Sequence, residues 1–175
     1  MTTALDAGSF GVRLHQAMRA HGPLCAGVDP HRGLMTSWGL DYTVAGLERF
    51  AMICAEAFAG QVAAVKPQSA FFEVFGSAGV AVLERLVGDL RAAGTLVILD
   101  VKRGDIGTTM DAYAEAFLGK DAPEPPDAIT LSPYLGYGSL RPAIDLAHAT
   151  GRGVFILALT SNPEGAAVQH ARIGG

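Results

Sequence analysis

The chain is 175 residues long, 50% hydrophobic and 17% charged, which is enough apolar content for one sizeable core in a single domain over 1–175 and excludes disorder for most of its length. With 13 Lys and Arg against 17 Asp and Glu the net charge is -4, so no global basic field exists to hold a nucleic acid or an anionic membrane. An anionic ligand has to be gripped by a local site.

No run reaches the roughly 18 apolar residues of a membrane span, and the N-terminus lacks the charged-then-apolar order of a signal peptide, so a soluble, cytoplasmic protein is expected. In chain order, Ala4 to Ala20 places Phe10, Leu14, Ala17 and Met18 on one face of an amphipathic helix, stopped by His21-Gly22-Pro23. A short apolar run, Leu24 to Val28, has the length of a strand buried on both faces. Leu47, Phe50, Ala51, Cys54 and Phe58 then form a helical stripe ending near Gly60, and Val62 to Val65 reads as the second strand. Val80, Leu83, Leu86, Val87 and Leu90 repeat the helical spacing up to Gly94, followed by the strand Leu96 to Leu99. A helix from Thr109 to Leu118, a loop from Asp121 to Pro126 and the strand Ala128 to Leu131 come next. A helix after Ser139 closes before Gly151, and Val154 to Leu159 is the fifth strand. Cys25 and Cys54 lie in apolar stretches without metal-type spacing and read as reduced core residues.

Alternating strands and helices point to an α/β fold with an all-parallel sheet, either doubly wound or a (β/α)8 barrel. Each strand ends in a polar motif: Asp29-Pro30, Lys66-Pro67-Gln68, Asp100 to Asp105, Ser132-Pro133-Tyr134, and Thr160-Ser161-Asn162-Pro163. Barrels build their sites from the carboxyl ends of many strands, whereas open sheets concentrate ligands at one switch point, so a TIM barrel is favoured. Such a barrel has eight units in about 250 residues. A barrel with about its first five units present and the C-terminal ones missing is therefore expected.

Asp100 and Lys102 are two apart on a strand, so their side chains leave the same face at its carboxyl end. A buried charge without a partner costs several kcal/mol, so the pair, at a mouth also lined by Lys66 and Asp29, points to an alternating network of carboxylates and ammonium groups. Two lysines facing one cavity are rare as purely structural residues. Asp105 and Thr109 lie beyond Gly104 and reach this face only through a turn; otherwise they are free to reach a neighbouring subunit. Taken singly, Asp29 reads as a turn former and Thr108 or Thr109 as a helix cap. Arg103 leaves the opposite face from Lys102, where a salt bridge behind the site is as plausible as a substrate contact. Ser132-Pro133-Tyr134 reads equally well as a plain loop, and His31, His148 and His170 have no partner spacing and read as surface or core residues.

At Asp100-Val-Lys102-Arg-Gly-Asp105-Ile-Gly-Thr-Thr109 the sequence resembles the orotidine 5'-phosphate decarboxylase family. The resemblance extends over Gly27-Val-Asp29-Pro30, Val65-Lys66-Pro67-Gln68, Ser132-Pro-Tyr134-Leu-Gly136 and Thr160-Ser161-Asn162-Pro163, nearly the whole chain from Leu24, in the family version that reads Val-Lys-Pro-Gln. It implies a cofactor-free and metal-free decarboxylation of orotidine 5'-monophosphate to uridine 5'-monophosphate in pyrimidine biosynthesis. Lys102 would be the proton donor and Asp100 would lie beside the substrate carboxylate. Lys66 would complete the charged site and, with Asp29, contact the ribose hydroxyls, and Ser161 would contact the pyrimidine edge. Asp105 and Thr109 would be supplied to the partner's site of a homodimer. The family's phosphate-gripping glutamine and arginine belong to later strands.

Two other readings stand beside this one. Magnesium-dependent sugar-phosphate decarboxylases and synthases of the same superfamily share Asp-x-Lys-x-x-Asp, but place an acidic metal ligand where Lys66 stands, and a lysine there repels a divalent cation. A non-catalytic dimerisation module that kept the site residues without the phosphate half is the reading from another class.

Overall fold

The computed structural model describes residues 8–172 and residue 174. Its five strands are β1 (Cys25–Val28), β2 (Ala64–Pro67), β3 (Leu96–Arg103), β4 (Ala128–Leu131) and β5 (Gly153–Ile156). All neighbouring pairs are parallel, in the order β1-β2-β3-β4-β5. Strictly sequential order is what a (β/α) barrel requires, whereas a doubly wound sheet reverses direction at its switch point. The fold is α/β, and the sheet is a part of such a barrel.

The helices are α1 (Phe10–His21), α2 (Arg32–Ser37), α3 (Val44–Phe58), α4 (Ala70–Glu73), α5 (Gly76–Ala92), α6 (Gly107–Leu118), α7 (Arg141–Thr150) and α8 (Ala166–Gln169). Short 3-10 turns occupy Tyr137–Leu140 and Pro163–Gly165. The five helices read from periodicity are all present. The three short ones and the 3-10 turns are not legible that way, because a turn or so of helix carries too few residues to show a period.

Several boundaries differ from expectation. The first helix begins at Phe10, after Gly8 and Ser9, while the expected positions 4–7 lie outside the described residues. The second strand starts at Ala64 rather than Val62 and runs on to Pro67. The third extends to Arg103. The fifth ends at Ile156; the Leu157 N–H still bonds Leu131 O, but Leu159 lies out in solvent. The α6 helix opens at Gly107 with Ile106 as its N-cap and no side-chain cap bond, so neither Thr108 nor Thr109 caps it. Side-chain caps occur elsewhere: Thr43 Oγ1 accepts from Gly46 N–H at 3.2 Å, and His31 Nδ1 accepts from Leu34 N–H at 3.2 Å.

Strand parity sorts the core into two layers. Val28, Val65, Val97, Leu99, Ile129 and Leu131 pack outward against buried faces of the helices, including Leu47, Phe50, Leu86, Leu90 and Met110. The alternate residues Ala64, Leu96, Ile98 and Ala128 face inward and form a second cluster with Phe10, against which Leu14 and Ala17 pack. Helix α1 thus covers the inner face near the amino ends of the strands. Gly153 is small because Phe10 lies on it: a Cβ there would come within 2.3 Å of the ring. Phe10 also meets Phe155 edge-on, with centroids 5.8 Å apart.

A charged clip holds the same end. Asp127, buried just before β4, pairs with Arg13 of α1 and accepts from Val97 N–H at 3.0 Å, with Arg91 Nε 3.6 Å away. Arg13 also donates to Gly151 O at 3.1 Å. Both cysteines are free thiols. Cys54 is buried in α3, and burial pushes its thiol up to about 11. Cys25 is not a core residue as expected. It stands on the inner face of β1, where it is exposed.

Candidate active site

The inward parity continues past the apolar cluster into charge. Lys66 is two residues beyond Ala64, Asp100 two beyond Ile98, and Thr130 two beyond Ala128, so the polar groups form the next layer towards the carboxyl ends. They converge on Asp100, which is 6% exposed. Its Oδ2 accepts from Lys66 Nζ at 2.7 Å and from Gln68 Nε2 at 3.2 Å. Its Oδ1 accepts from Lys102 Nζ at 2.6 Å and from Thr130 Oγ1 at 2.8 Å. Four donors match the roughly four acceptor positions of an ionised carboxylate. Burial pushes the Asp100 carboxyl up, but the bonds from Lys102, Lys66 and Thr130 outweigh it and hold the group at about 2.

The expectation of an alternating ammonium–carboxylate network is met for Lys66, Asp100 and Lys102. The lysines themselves are not deeply buried, with side chains 34% and 46% exposed. The buried charge is the carboxylate, while both lysine side chains keep substantial exposure.

Regular strand geometry is not what brings Asp100 and Lys102 together. Lys102 has φ +46°, and pairing with β4 is displaced between Leu99, opposite Ile129, and Arg103, opposite Leu131. Left-handed backbone at a non-glycine residue costs on the order of 1–3 kcal/mol and is held only by surrounding structure. Here the Lys102 N–H bonds Thr130 Oγ1 at 2.9 Å, and pairing resumes where Ser132 N–H bonds Arg103 O at 2.8 Å. Gly104 follows, packed so close to Ser132 that a Cβ would lie 2.3 Å from the Ser132 carbonyl oxygen.

The other expected site residues stand around this centre without joining it. Among the described residues, Asp29, Asp105, Thr109 and Ser161 make no hydrogen bond or ion pair with Lys66, Asp100 or Lys102. Asp29 follows β1, and its backbone carbonyl accepts from His31 N–H at 2.7 Å, while its carboxylate Oδ1 is buried with no hydrogen-bond partner. Asp105 accepts from its neighbour Ile106 N–H at 2.8 Å. Thr109 is exposed in the first turn of α6, and Ser161 is exposed in the loop after β5.

Arg103 turns to the helix side and bonds Glu73 at 2.7 Å and Val101 O at 3.2 Å, so it lies behind the site as the salt-bridge reading has it. His31 caps α2, and His148 and His170 are exposed. Ser132 joins the sheet through its backbone, and Tyr134 points into solvent. Sequence reasoning missed Gln68 and Thr130 as partners of Asp100. The signals were there: Gln68 is two beyond Lys66, and Thr130 is a hydroxyl in the apolar run Ala128 to Leu131.

Among the described residues no three His, Cys, Asp or Glu side chains gather to hold a metal ion, and no helix is long and apolar enough to cross a membrane. Residues 22–173 match the model of the orotidine 5'-phosphate decarboxylase / HUMPS family. The chain belongs to that family. It is 65% identical over 162 residues to orotidine 5'-phosphate decarboxylase of Streptomyces coelicolor, covering 93% of this chain and 58% of that protein. The Salinispora arenicola protein of the same name is 64% identical over 167 residues, covering 95% of this chain and 60% of the relative. A crystal structure from Streptomyces avermitilis superposes with a TM-score of 0.91 at 61% identity, over 96% of this chain and 60% of the other. Leishmania donovani OMP decarboxylase superposes with a TM-score of 0.76 at 35% identity, over 95% of this chain and 60% of that one. The chain thus spans about 60% of the length of these relatives.

Proposed function

We propose that this chain supplies the chemical half of an orotidine 5'-monophosphate decarboxylase site, with uridine 5'-monophosphate as product. The observation that carries this reading is the Asp100 carboxylate, ionised and shared between Lys66 and Lys102 at the carboxyl ends of β2 and β3. An ammonium held beside a carboxylate is poised to stabilise negative charge developing on carbon and then to deliver a proton to it. In the proposed step the bond from pyrimidine carbon 6 to the carboxylate breaks, carbon dioxide leaves, and the electron pair remains on carbon 6. Lys102 Nζ gives that carbon its proton and is later reprotonated from water.

Asp100 lies beside the substrate carboxylate and fixes Lys102. The buried, unpartnered Oδ1 of Asp29 supports its reading as an acceptor for a ribose hydroxyl, with Lys66 as the neighbouring donor. Ser161 serves the pyrimidine edge. Asp105 and Thr109 serve the partner's site of a homodimer, a reading supported by the exposure of Ile106, Tyr134 and Leu135 on the neighbouring loops after β3 and β4. The ammonium of Lys66, standing where the sugar-phosphate enzymes are expected to carry an acidic ligand, supports a reaction without metal.

The test uses the chain extended to the length of its relatives. Loss of orotate absorbance from orotidine 5'-monophosphate in the presence of a chelator is the expected result. Activity that disappears with the chelator and returns with magnesium would instead support the sugar-phosphate reading.

A further inference from the structure

We propose that Thr130 is the positioning residue of this site: its single hydroxyl ties the left-handed backbone of Lys102 to the Asp100 carboxylate and so fixes the lysine's pose. The displaced pairing of β3 and β4 leaves the Lys102 N–H bonded to a side chain, Thr130 Oγ1, at 2.9 Å. The same oxygen donates its proton to Asp100 Oδ1 at 2.8 Å. That Oδ1 in turn accepts from Lys102 Nζ at 2.6 Å. A closed ring results, running from the Lys102 backbone through Thr130 and Asp100 back to the Lys102 side chain.

Three features make the ring stiff. Thr130 is β-branched and sits inside a strand, so its χ1 has little freedom. It is 8% exposed, so water competes poorly for its hydroxyl. Its donor and acceptor functions are both used by the two residues that carry the chemistry, leaving the hydroxyl one orientation. A backbone with φ +46° at Lys102 needs such support, because an L-residue does not settle there unaided. Thr130 need touch no substrate: it acts through Lys102 and Asp100.

The catalytic part of this inference rests on the decarboxylase reading; the geometric part does not. Thr130→Val keeps the shape and removes the hydroxyl, whereas Thr130→Ser restores it. In the 175-residue chain, the Val variant is expected to raise the pH at which the Asp100 carboxyl titrates by carbon NMR. Exchange of the Lys102 amide should become at least about tenfold faster, with the Ile129 and Val97 amides unchanged as folding controls. The Ser variant should return both towards the parent. Should Val fail to fold, Thr130→Ala is read the same way. Unchanged Asp100 titration and Lys102 exchange would overturn the proposal whatever reaction the site performs.

In the relative-length protein, loss of the hydroxyl should lower kcat about ten- to a hundredfold with KM within about threefold, and Ser should rescue. Altered NMR with unchanged kcat would overturn the positioning role in catalysis. A parent protein of that length with no decarboxylation would sink the decarboxylase reading alone, since the two NMR readouts still decide the ring.

Discussion

Lys66 on β2 and Lys102 on β3 hold opposite oxygens of one carboxylate, at 2.7 and 2.6 Å from Asp100. Two like charges are thereby kept within a single small space, which only the intervening negative charge makes tolerable. The carboxylate is a structural requirement of this charge network.

The pH dependence of stability follows from this. Asp100 sits near pH 3.8 when unperturbed and is held at about 2 in the fold. Its folded value is lowered, so its contribution is fully present above the unfolded value and is lost as pH falls through the folded one. That contribution is on the order of 2 kcal/mol. Thermal melting of the parent should therefore fall more steeply than that of Asp100→Asn between about pH 4 and pH 2. Parallel pH profiles of the two proteins would show that the carboxylate does not hold this charge network together.

Lys102→Ala separates chemistry from binding. In the relative-length protein kcat is expected to drop at least about a thousandfold, because in the proposed step the ammonium acts on charge that appears only in the transition state. Binding of uridine 5'-monophosphate, read by calorimetry, should persist, since Asp100 keeps three of its four donors and the site keeps its frame. Loss of nucleotide binding together with turnover would make Lys102 a ground-state contact instead.

At the opposite end of the strands, Asp127 offers a prediction on stability alone. It is buried between Arg13 and Arg91 and also satisfies the Val97 N–H. Asp127→Ala removes the acceptor of the Val97 N–H and the counter-charge of two guanidinium groups that are about one-third exposed, with Arg13 keeping its bond to Gly151 O, so the cost is about 3 kcal/mol. For a chain of this size that is a drop of roughly 10 °C in Tm. Arg13→Met should cost less, because Arg91 remains beside the carboxylate. Equal losses from the two substitutions would mean that the helix α1 contact, rather than the carboxylate, is the weak point.

The legible part of this protein was its parity and its punctuation. Apolar runs of strand length, helical stripes such as Leu83, Leu86, Val87 and Leu90, and a polar motif after every strand point to a barrel and to the end where its charged network sits, although Val80 of that stripe is exposed rather than buried. Less legible was anything depending on one dihedral angle. Spacing places Asp100 and Lys102 on one face of an ideal strand, and the two do meet, but through a left-handed residue and a displaced register that spacing does not encode. Thr130 was hidden for a related reason: a threonine in a strand is ordinary, and nothing in its sequence position shows that its hydroxyl meets both the Lys102 N–H and the Asp100 carboxylate. Cys25 was misplaced because apolar neighbours in sequence do not say which face of an edge strand such as β1 is covered.

The last prediction concerns Asp105. It lies past Gly104, which packs closely on Ser132, and among the described residues its carboxylate bonds the adjacent Ile106 N–H and not Lys102 of its own chain. Ile106 beside it is 61% exposed, an apolar side chain left uncovered by its own chain. If the site is shared, Asp105→Ala and Lys102→Ala proteins of relative length are each inactive alone. A mixed dimer then contains one site with both substitutions and one with an intact Lys102 and an intact Asp105. Mixing the two should restore activity up to about a quarter of the parent's, since half of randomly exchanged dimers are mixed and each holds one good site. Subunit exchange is verified separately by mass labelling. A mixture as inactive as its components despite complete exchange would place Asp105 in the site of its own chain, reached by movement of the loop after Gly104.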